Sequence, residues 1–267
     1  MTPSIPKSDL EKFVQESGWS PDIKAKERVK DDHGLPDEDH VIVYAYLDQI
    51  RIIDLDGKDY GIARRQNFVT SLCPHEGELY DGGNYMRIYM TMNDKLIGKR
   101  TYPITAMCSH QGSLYDNGKA FSVIDTFSKE EIAQRSTSVE DLCSHKEILI
   151  DISMRSLFDT LADKRMDHLH IGLKKHHMIE MLHSYQGRLY ASSNGGIFLL
   201  EEGREVATRE DKVKAMCTHN GRLIDGGKYQ GIHDTFTSDI ISDTPLMVHA
   251  MCSHPRQYFV EWGVLPP

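Results

Sequence analysis

Residues 215–227 read AMCTHNGRLIDGG, and variants of this phrase recur along the chain. Close copies begin at residues 71, 106 and 141, a shortened copy begins at residue 250, and a degenerate copy, MLHSYQGRLYASS, begins at residue 181. The five cysteines, at positions 73, 108, 143, 217 and 252, are separated by 35, 35, 74 and 35 residues, and His183 divides the long interval into 40 and 34. A fixed period of this size indicates a repeat architecture.

Each repeat divides into four short segments in which apolar and polar residues alternate. In one copy they are residues 213–219, 222–225, 231–236 and 239–243, and the separators are Asn220-Gly221, Gly226-Gly227 and Thr237-Ser238. Separators of this kind are typical of turns between antiparallel strands. Helical repeats would need two longer segments of 3.6 periodicity, which the central Gly-Gly disfavours. A parallel β-solenoid is less favoured, because paired short turns are typical of hairpins.

A single small sheet cannot bury both of its faces, whereas sheets packed radially bury them against neighbours. The predicted fold is therefore an all-β, six-bladed β-propeller with four antiparallel strands per blade and first strands near residues 70, 105, 140, 179, 213 and 248. Blade six is predicted to be shared between residues 247–253 and residues 41–65, and the sequence leaves open whether residues 41–46 or 258–262 complete it. The predicted division is a helical N-terminal arm, 1–39, and a propeller, 40–267.

These repeats resemble the broad class of WD40-like and kelch-like β-propeller proteins, although the period is shorter and no Trp-Asp dipeptide ends a blade. WD40-like blades use a network of His, Asp and Ser or Thr. The resemblance therefore implies that the repeated histidine binds a carboxylate or a threonine of its own blade. The candidate partners are Asp81, Asp116, Asp151, Asp225, Thr126, Thr160 and Thr235.

The Cys-x-His tripeptides place a thiol and an imidazole on one face of a strand. Zinc can bind both groups, but equivalent atoms of neighbouring blades are expected about 10 Å apart, too far to complete a tetrahedron. We predict free thiols, no metal and a structural role for the pair, because cysteine behaves as a small buried apolar residue. The alternative is binding at the mouth of the central channel by His75, His110, His145, Tyr185, His219 and His254.

Two irregular segments are candidate recognition elements. Blade three carries extra residues, for which the prediction is a partner-binding loop of His168, His170, Lys174, Lys175, His176 and His177. The arm carries Phe13 and Trp19, which are predicted to anchor it either on the propeller or on a partner.

The 267 residues carry a net charge of −9, which argues against general nucleic-acid or anionic-membrane binding. The number of cysteines is odd, and the N-terminal residues lack the apolar core of a secretory signal. Both features favour a location in the reducing cytoplasm. The motifs of α/β-hydrolases, zinc proteases and nucleotide-binding loops are absent from the sequence. The predicted function is a non-enzymatic protein-binding scaffold without a cofactor. The alternative is an enzyme, or a small-molecule or metal-binding propeller, with its site at the channel mouth.

Overall fold

A computed structural model describes residues 40–153, 156–166, 179–244 and 247–266. These residues form six antiparallel sheets of four strands each. Blade 1 contains β4 (Val69–His75), β5 (Glu78–Gly83), β6 (Arg87–Met90) and β7 (Lys95–Lys99). Blade 2 contains β8 (Met107–His110), β9 (Ser113–Lys119), β10 (Ser122–Asp125) and β11 (Glu131–Gln134). Blade 3 contains β12 (Val139–His145), β13 (Ile148–Ser153), β14 (Ser156–Asp159) and β15 (Lys164–Arg165).

Blade 4 contains β16 (Met181–Tyr185), β17 (Arg188–Ser193), β18 (Gly196–Leu199) and β19 (Arg204–Thr208). Blade 5 contains β20 (Val213–His219), β21 (Arg222–Gly227), β22 (Ile232–Asp234) and β23 (Ile240–Ser242). Blade 6 contains β24 (Val248–Pro255), β1 (His40–Tyr46), β2 (Gln49–Ile53) and β3 (Asp59–Arg64). The predicted six-bladed, all-β architecture is confirmed.

Blade 6 closes the ring by joining two distant parts of the chain. Strand β24 pairs with β1 in an antiparallel register that sets Val43 opposite Cys252 and His40 opposite Pro255. Residues 41–46 therefore take the strand position that the sequence left open, and Arg256–Glu261 forms a short helix, α1, instead. Each first strand contacts the first strands of the two adjacent blades, so the ring is complete.

The core of the molecule lies between the blades. Each of six clusters of buried apolar side chains joins two adjacent blades, one cluster for each junction of the ring. At the junction of blades 1 and 2, for example, Tyr80 and Ile88 pack with Ile104 and Leu114. This arrangement gives every sheet the neighbours it needs to bury both faces.

The Gly-Gly pairs correct one detail of the sequence prediction. Gly82-Gly83 and Gly226-Gly227 are the last residues of strands β5 and β21, and not turns. A Cβ atom at Gly83 would lie 2.1 Å from the Phe68 carbonyl oxygen, and one at Gly227 would lie 2.1 Å from that of Lys212. Glycine is therefore needed at both positions, because the backbone just before the first strand of the blade lies too close to leave room for a side chain.

Antiparallel order gives the ring two different faces. The turns between first and second strands, and between third and fourth strands, all lie on one side, which we call the turn face. The connections between blades and the turns between second and third strands lie on the opposite face. The predicted arm, with Phe13 and Trp19, lies outside the described residues, and so do His168, His170, Lys174, Lys175, His176 and His177.

Candidate functional site: the turn face and the central channel

The repeated histidines join neighbouring blades. In four histidines, Nδ1 is hydrogen-bonded to a serine hydroxyl of the next blade: His75 to Ser109 (2.9 Å), His110 to Ser144 (2.8 Å), His145 to Ser184 (2.9 Å) and His219 to Ser253 (3.1 Å). Each serine occupies the middle position of the Cys-x-His motif, or of its blade 4 equivalent His183-Ser184-Tyr185. The prediction that these histidines bond an aspartate or threonine of their own blade is wrong. Side chains alternate between the two faces of a strand, so histidine and serine belong to opposite faces and meet across the junction.

Two junctions depart from this pattern. In blade 4, Tyr185 replaces histidine and donates its hydroxyl to the Gly221 carbonyl, while Nε2 of His183 is bonded to Oγ1 of Thr218 at 3.0 Å. At the junction of blades 6 and 1, the residue equivalent to serine is Pro74, which has no hydroxyl. His254 there packs on Tyr258 of α1, with ring centroids 4.4 Å apart.

The repeated aspartates bind arginines, and this network was missed from the sequence. Asp116 accepts hydrogen bonds from Arg100 Nε and Nη2 at 2.8 and 2.6 Å, and from Thr126 Oγ1 at 2.8 Å. The same arginine, aspartate and threonine set occurs in four blades: Arg65, Asp81 and Thr91; Arg100, Asp116 and Thr126; Arg135, Asp151 and Thr160; Arg209, Asp225 and Thr235. The signal was present, because these arginines recur with the same 35, 35 and 74 spacing as the cysteines.

The five cysteines are free and buried, and they line the wall of the central channel. Burial raises the pKa of Cys73 to about 12, and it raises the pKa values of Cys108, Cys143 and Cys252 as well. Neutral thiols are poor nucleophiles and poor metal ligands. Among the described residues, no group of three or more His, Cys, Asp or Glu side chains is arranged to hold a metal ion.

The channel encloses a cavity of about 550 Å³. Its lining comes from the first strands and ends at the residue between Cys and His, so it does not include the six side chains proposed for the channel mouth. Asp141 is the unusual group in this lining, because the equivalent residues of blades 2, 5 and 6 are alanines. Burial raises the pKa of Asp141 to about 7, although the Leu182 N–H donates a 2.6 Å hydrogen bond to its carboxylate.

The turn face presents large apolar side chains at one repeated position. These are Leu55, Phe127, Leu161 and Phe236, which are 51%, 48%, 47% and 47% exposed. Each is the second residue of the turn between the third and fourth strands of its blade. Blade 1 places the half-buried Met92 at this position, and blade 4 places Glu201 there.

Local hydrogen bonds hold these side chains outward. Asp125 Oδ1 accepts the N–H groups of Phe127 and Ser128 at 3.0 and 2.9 Å, and Asp234 Oδ1 accepts those of Phe236 and Thr237 at 2.9 and 3.0 Å. The threonine between aspartate and phenylalanine points inward to the arginine and aspartate cluster. Each turn is thus fixed from both sides, and the apolar side chain is left on the surface.

Two of these residues cover aromatic clusters. The Phe127 ring lies 5.7 Å from that of His75 and 6.0 Å from that of Tyr80, between centroids. Phe236 lies 5.9 Å from Tyr185 and 6.0 Å from Tyr190 in the same manner. Aromatic contacts of this kind hold the exposed ring in place beyond the effect of burial alone.

No protein-family model and no curated protein matches the sequence. Solved structures do match the fold. The crystal structure of the WD40 β-propeller domain of Doa1 has a TM-score of 0.57 and 14% identity over 81% of this chain and 83% of that chain. The WD40 repeats of RRP9 have a TM-score of 0.51 and 10% identity over 82% of each chain. At these identities the likeness concerns the fold alone: the chain is a six-bladed β-propeller similar to WD40 propellers.

Proposed function

We propose that this protein is a non-enzymatic protein-binding platform whose partner binds the turn face. The observation that carries the proposal is the row of exposed apolar residues at equivalent turn positions, Leu55, Phe127, Leu161 and Phe236. Contiguous exposed apolar patches mark interaction sites, and we propose that these side chains form parts of such a surface. The WD40 likeness gives general support, because propellers of this class are commonly interaction domains.

The arrangement around the ring suggests two contact areas. Phe127 and Leu161 belong to adjacent blades 2 and 3, and Phe236 and Leu55 belong to adjacent blades 5 and 6. Two regions of the ring separate these pairs. One is the junction of blades 6 and 1, which α1 covers, and the other is blade 4, which carries Glu201 at the equivalent position. A rigid frame costs little conformational entropy on binding, which favours affinity.

Affinity purification from the organism that encodes the protein tests the platform. The bait is the full chain, compared with the double variant Phe127→Ser/Leu161→Ser and with Met86→Ser/Phe121→Ser. Met86 and Phe121 are 40% and 46% exposed and lie on the opposite face, so they are a matched control. Partners lost only with the first variant support the proposal. It fails if no retained protein depends on the turn face.

The channel cavity favours a second candidate, a small-molecule or metal-binding propeller or an enzyme with its site at the channel mouth. The six residues His75, His110, His145, Tyr185, His219 and His254 remain the predicted ligands for that case. Metal analysis of the purified protein, together with alanine replacement of His110 and His219, separates the candidates. Stoichiometric zinc, iron or copper that is lost in these variants favours the second. A lower melting temperature with unchanged partner binding favours the platform.

We further propose a reducing, cytoplasmic location. Five free, buried thiols support it, because an oxidising compartment selects for paired cysteines. Among the described residues, no helix has the length and apolar character needed to cross a bilayer.

A further inference from the structure

The central channel is large enough for a small organic molecule. Its cavity of about 550 Å³ lies within the usual range of small-molecule sites. The lining begins three positions before the cysteine of each blade, or before His183 in blade 4, and ends one position after it. Five residues of strand span about 13 Å. Because the first strands end at the turn face, the lining begins at the opposite face.

Asp141 is the residue of this lining that packing does not account for. It lies deep in the protein and is still partly exposed, so its exposed part faces the channel. Its carboxylate accepts hydrogen bonds from the backbone N–H groups of Leu182, at 2.6 Å, and of Leu142. Blades 2, 5 and 6 have alanine at this position, so the fold does not need a carboxyl group there. A buried polar group without a packing role is typical of a functional site.

The groups that face Asp141 leave its charge uncompensated. Burial raises the pKa of Asp141 to about 7, and the negative charge of Glu140 on the same strand acts in the same direction. Burial raises the pKa values of the Cys108 and Cys143 thiols, which are therefore neutral. On the adjacent strand, burial lowers the pKa of His183 to about 4, so its imidazole is neutral as well. Among the described residues, no basic side chain forms an ion pair with Asp141.

The remaining basic residues of the lining, Lys214 and His249, are engaged elsewhere. Lys214 Nζ lies 3.4 Å from Glu180 Oε2, and Lys212 pairs with the same carboxylate. His249 stacks on Phe68 with ring centroids 5.7 Å apart, and burial lowers its pKa, so it is uncharged at neutral pH. A positive charge on a ligand would therefore be the counter-ion that the protein itself does not supply.

An apolar belt lies one residue further along the first strands, towards the turn face. Leucine or methionine contributes to it from every blade: Leu72, Met107, Leu142, Leu182, Met216 and Met251. Methionine side chains adapt to ligands of different shape. A carboxylate next to an apolar wall matches a molecule that combines an ammonium group with an apolar body.

We infer that the channel binds a small amphiphilic amine, which enters from the face opposite the turn face and has Asp141 as its counter-ion. The site lies at the other end of the channel from the six residues predicted at its mouth. It is also separate from the turn face, so this inference goes beyond the proposed platform and does not depend on it.

Isothermal titration calorimetry at pH 8 tests the inference with phenethylamine, whose alkylammonium group, like that of lysine, is protonated at this pH. Each of three control compounds changes one property: phenethyl alcohol is neutral, hydrocinnamate is an anion, and ethylamine lacks the apolar body. Phenethylamine is expected to bind with one molecule per protein and at least tenfold more tightly than any control. No binding of phenethylamine, or equal binding of phenethyl alcohol, would overturn the inference.

Two matched variants locate the site. Asp141→Asn keeps the size of the side chain and removes its charge, so binding is expected to weaken at least tenfold. A raised melting temperature of this variant at pH 8 would show that its fold is intact. Asp163→Asn makes the same chemical change in a turn of blade 3, where the side chain is 75% exposed, and is expected to bind as the unchanged protein does. Equal binding by the Asp141→Asn variant and the unchanged protein would refute the assignment.

The pH dependence of binding is a second measure of the carboxylate. With a pKa of about 7, about one tenth of Asp141 is ionised at pH 6 and about nine tenths at pH 8. The affinity for phenethylamine is therefore expected to be about tenfold weaker at pH 6, because only the ionised form binds the cation. Asp141→Asn is expected to remove this dependence. Equal affinity of the unchanged protein at the two pH values would contradict the inference.

The outcomes separate this inference from the proposed function. Phe127→Ser/Leu161→Ser is expected to bind phenethylamine normally, and Asp141→Asn is expected to keep the partners of the turn face. If alanine replacement of His110 and His219 abolishes amine binding and Asp141→Asn does not, the ligand lies at the histidine end and the inference is wrong. If phenethylamine does not bind but a cellular partner depends on Asp141, the channel holds a side chain of that partner, and the small-molecule site is wrong.

Discussion

Replacement of Asp151 by alanine is expected to destabilise the protein by about 3–5 kcal/mol, the usual cost of leaving one half of a buried ion pair without its partner. Arg135 donates to Asp151 through Nε at 2.9 Å and Nη2 at 2.6 Å. The side chains are 3% and 0% exposed. In the variant, the guanidinium would stay buried with Asp163 as its remaining charged partner. Thr160→Val removes only the 3.0 Å hydrogen bond to Asp151, for which we expect about 1.5–3 kcal/mol.

Blade 4 suggests how the loss can be repaired. Ala191 and Leu200 occupy the positions of Asp151 and Thr160 there, and both are buried. The triple variant Arg135→Met/Asp151→Ala/Thr160→Leu introduces the Ala and Leu of blade 4 and also removes the guanidinium, and replacing a buried ion pair by well-packed apolar groups is often neutral. We expect it to recover most of the stability that Asp151→Ala loses.

Urea unfolding at pH 7, followed by circular dichroism, measures these differences. Asp163→Asn is the matched control, because Asp163 also bonds Arg135 but its side chain is 75% exposed, and we expect a loss of about 1 kcal/mol or less. The reasoning is refuted if Asp151→Ala costs no more than Thr160→Val, or if the triple variant is no more stable than Asp151→Ala.

Three other predictions concern the inner strands. Burial raises the folded-state pKa of Asp141 to about 7 from 3.8, so the contribution of this carboxyl group to stability declines as pH rises through this interval. The Asp141→Asn variant should therefore have a higher melting temperature than the unchanged protein at pH 8 and the same melting temperature at pH 4. Burial lowers the pKa of His183 to about 4 from 6.5, so stability is lost as pH falls from 6.5 towards 4. The His183→Cys variant, which carries the residue found at this position in the other blades, should lose less melting temperature between pH 7 and pH 5 than the unchanged protein does. Ser184→Ala removes the hydrogen bond to His145 and should cost about 0.5–1.5 kcal/mol of unfolding free energy in the unchanged protein. The same substitution should cost almost nothing in the His145→Ala variant, and equal costs in the two backgrounds would show that the two residues do not interact.

The architecture was predictable because repetition is a long-range signal. Six copies of one phrase fix the number of blades, and the position of the last copy requires a shared blade. The strand that completes that blade was not predictable, because residues 41–46 and 258–262 both alternate. Packing decides between them: residues 256–261 form a helix, and Phe259 fills the junction of blades 6 and 1.

The partners of individual polar side chains were harder to predict. The sequence correctly marked the histidines and aspartates as repeated polar groups, but it gave no direct measure of which face of a neighbouring blade each would meet. His75, for example, is hydrogen-bonded to Ser109, which is 34 residues away in the sequence. Rules based on neighbouring residues in the sequence do not predict such a contact. The exposed apolar turn residue was also missed. The sequence prediction included Phe236 in the segment 231–236, whereas the strand ends at Asp234 and Phe236 lies in the turn that follows it.

Pairing of β24 with β1 has a consequence for how the molecule is made. Residues 40–46 leave the ribosome first among the described strands, yet their edge partner is encoded more than two hundred codons later. Blades 1 to 5 can form during translation, but the circle stays open until Val248–Pro255 emerge. Any message cut short before that point yields a protein in which β1 has lost its edge partner, and an unpaired strand edge is prone to aggregation.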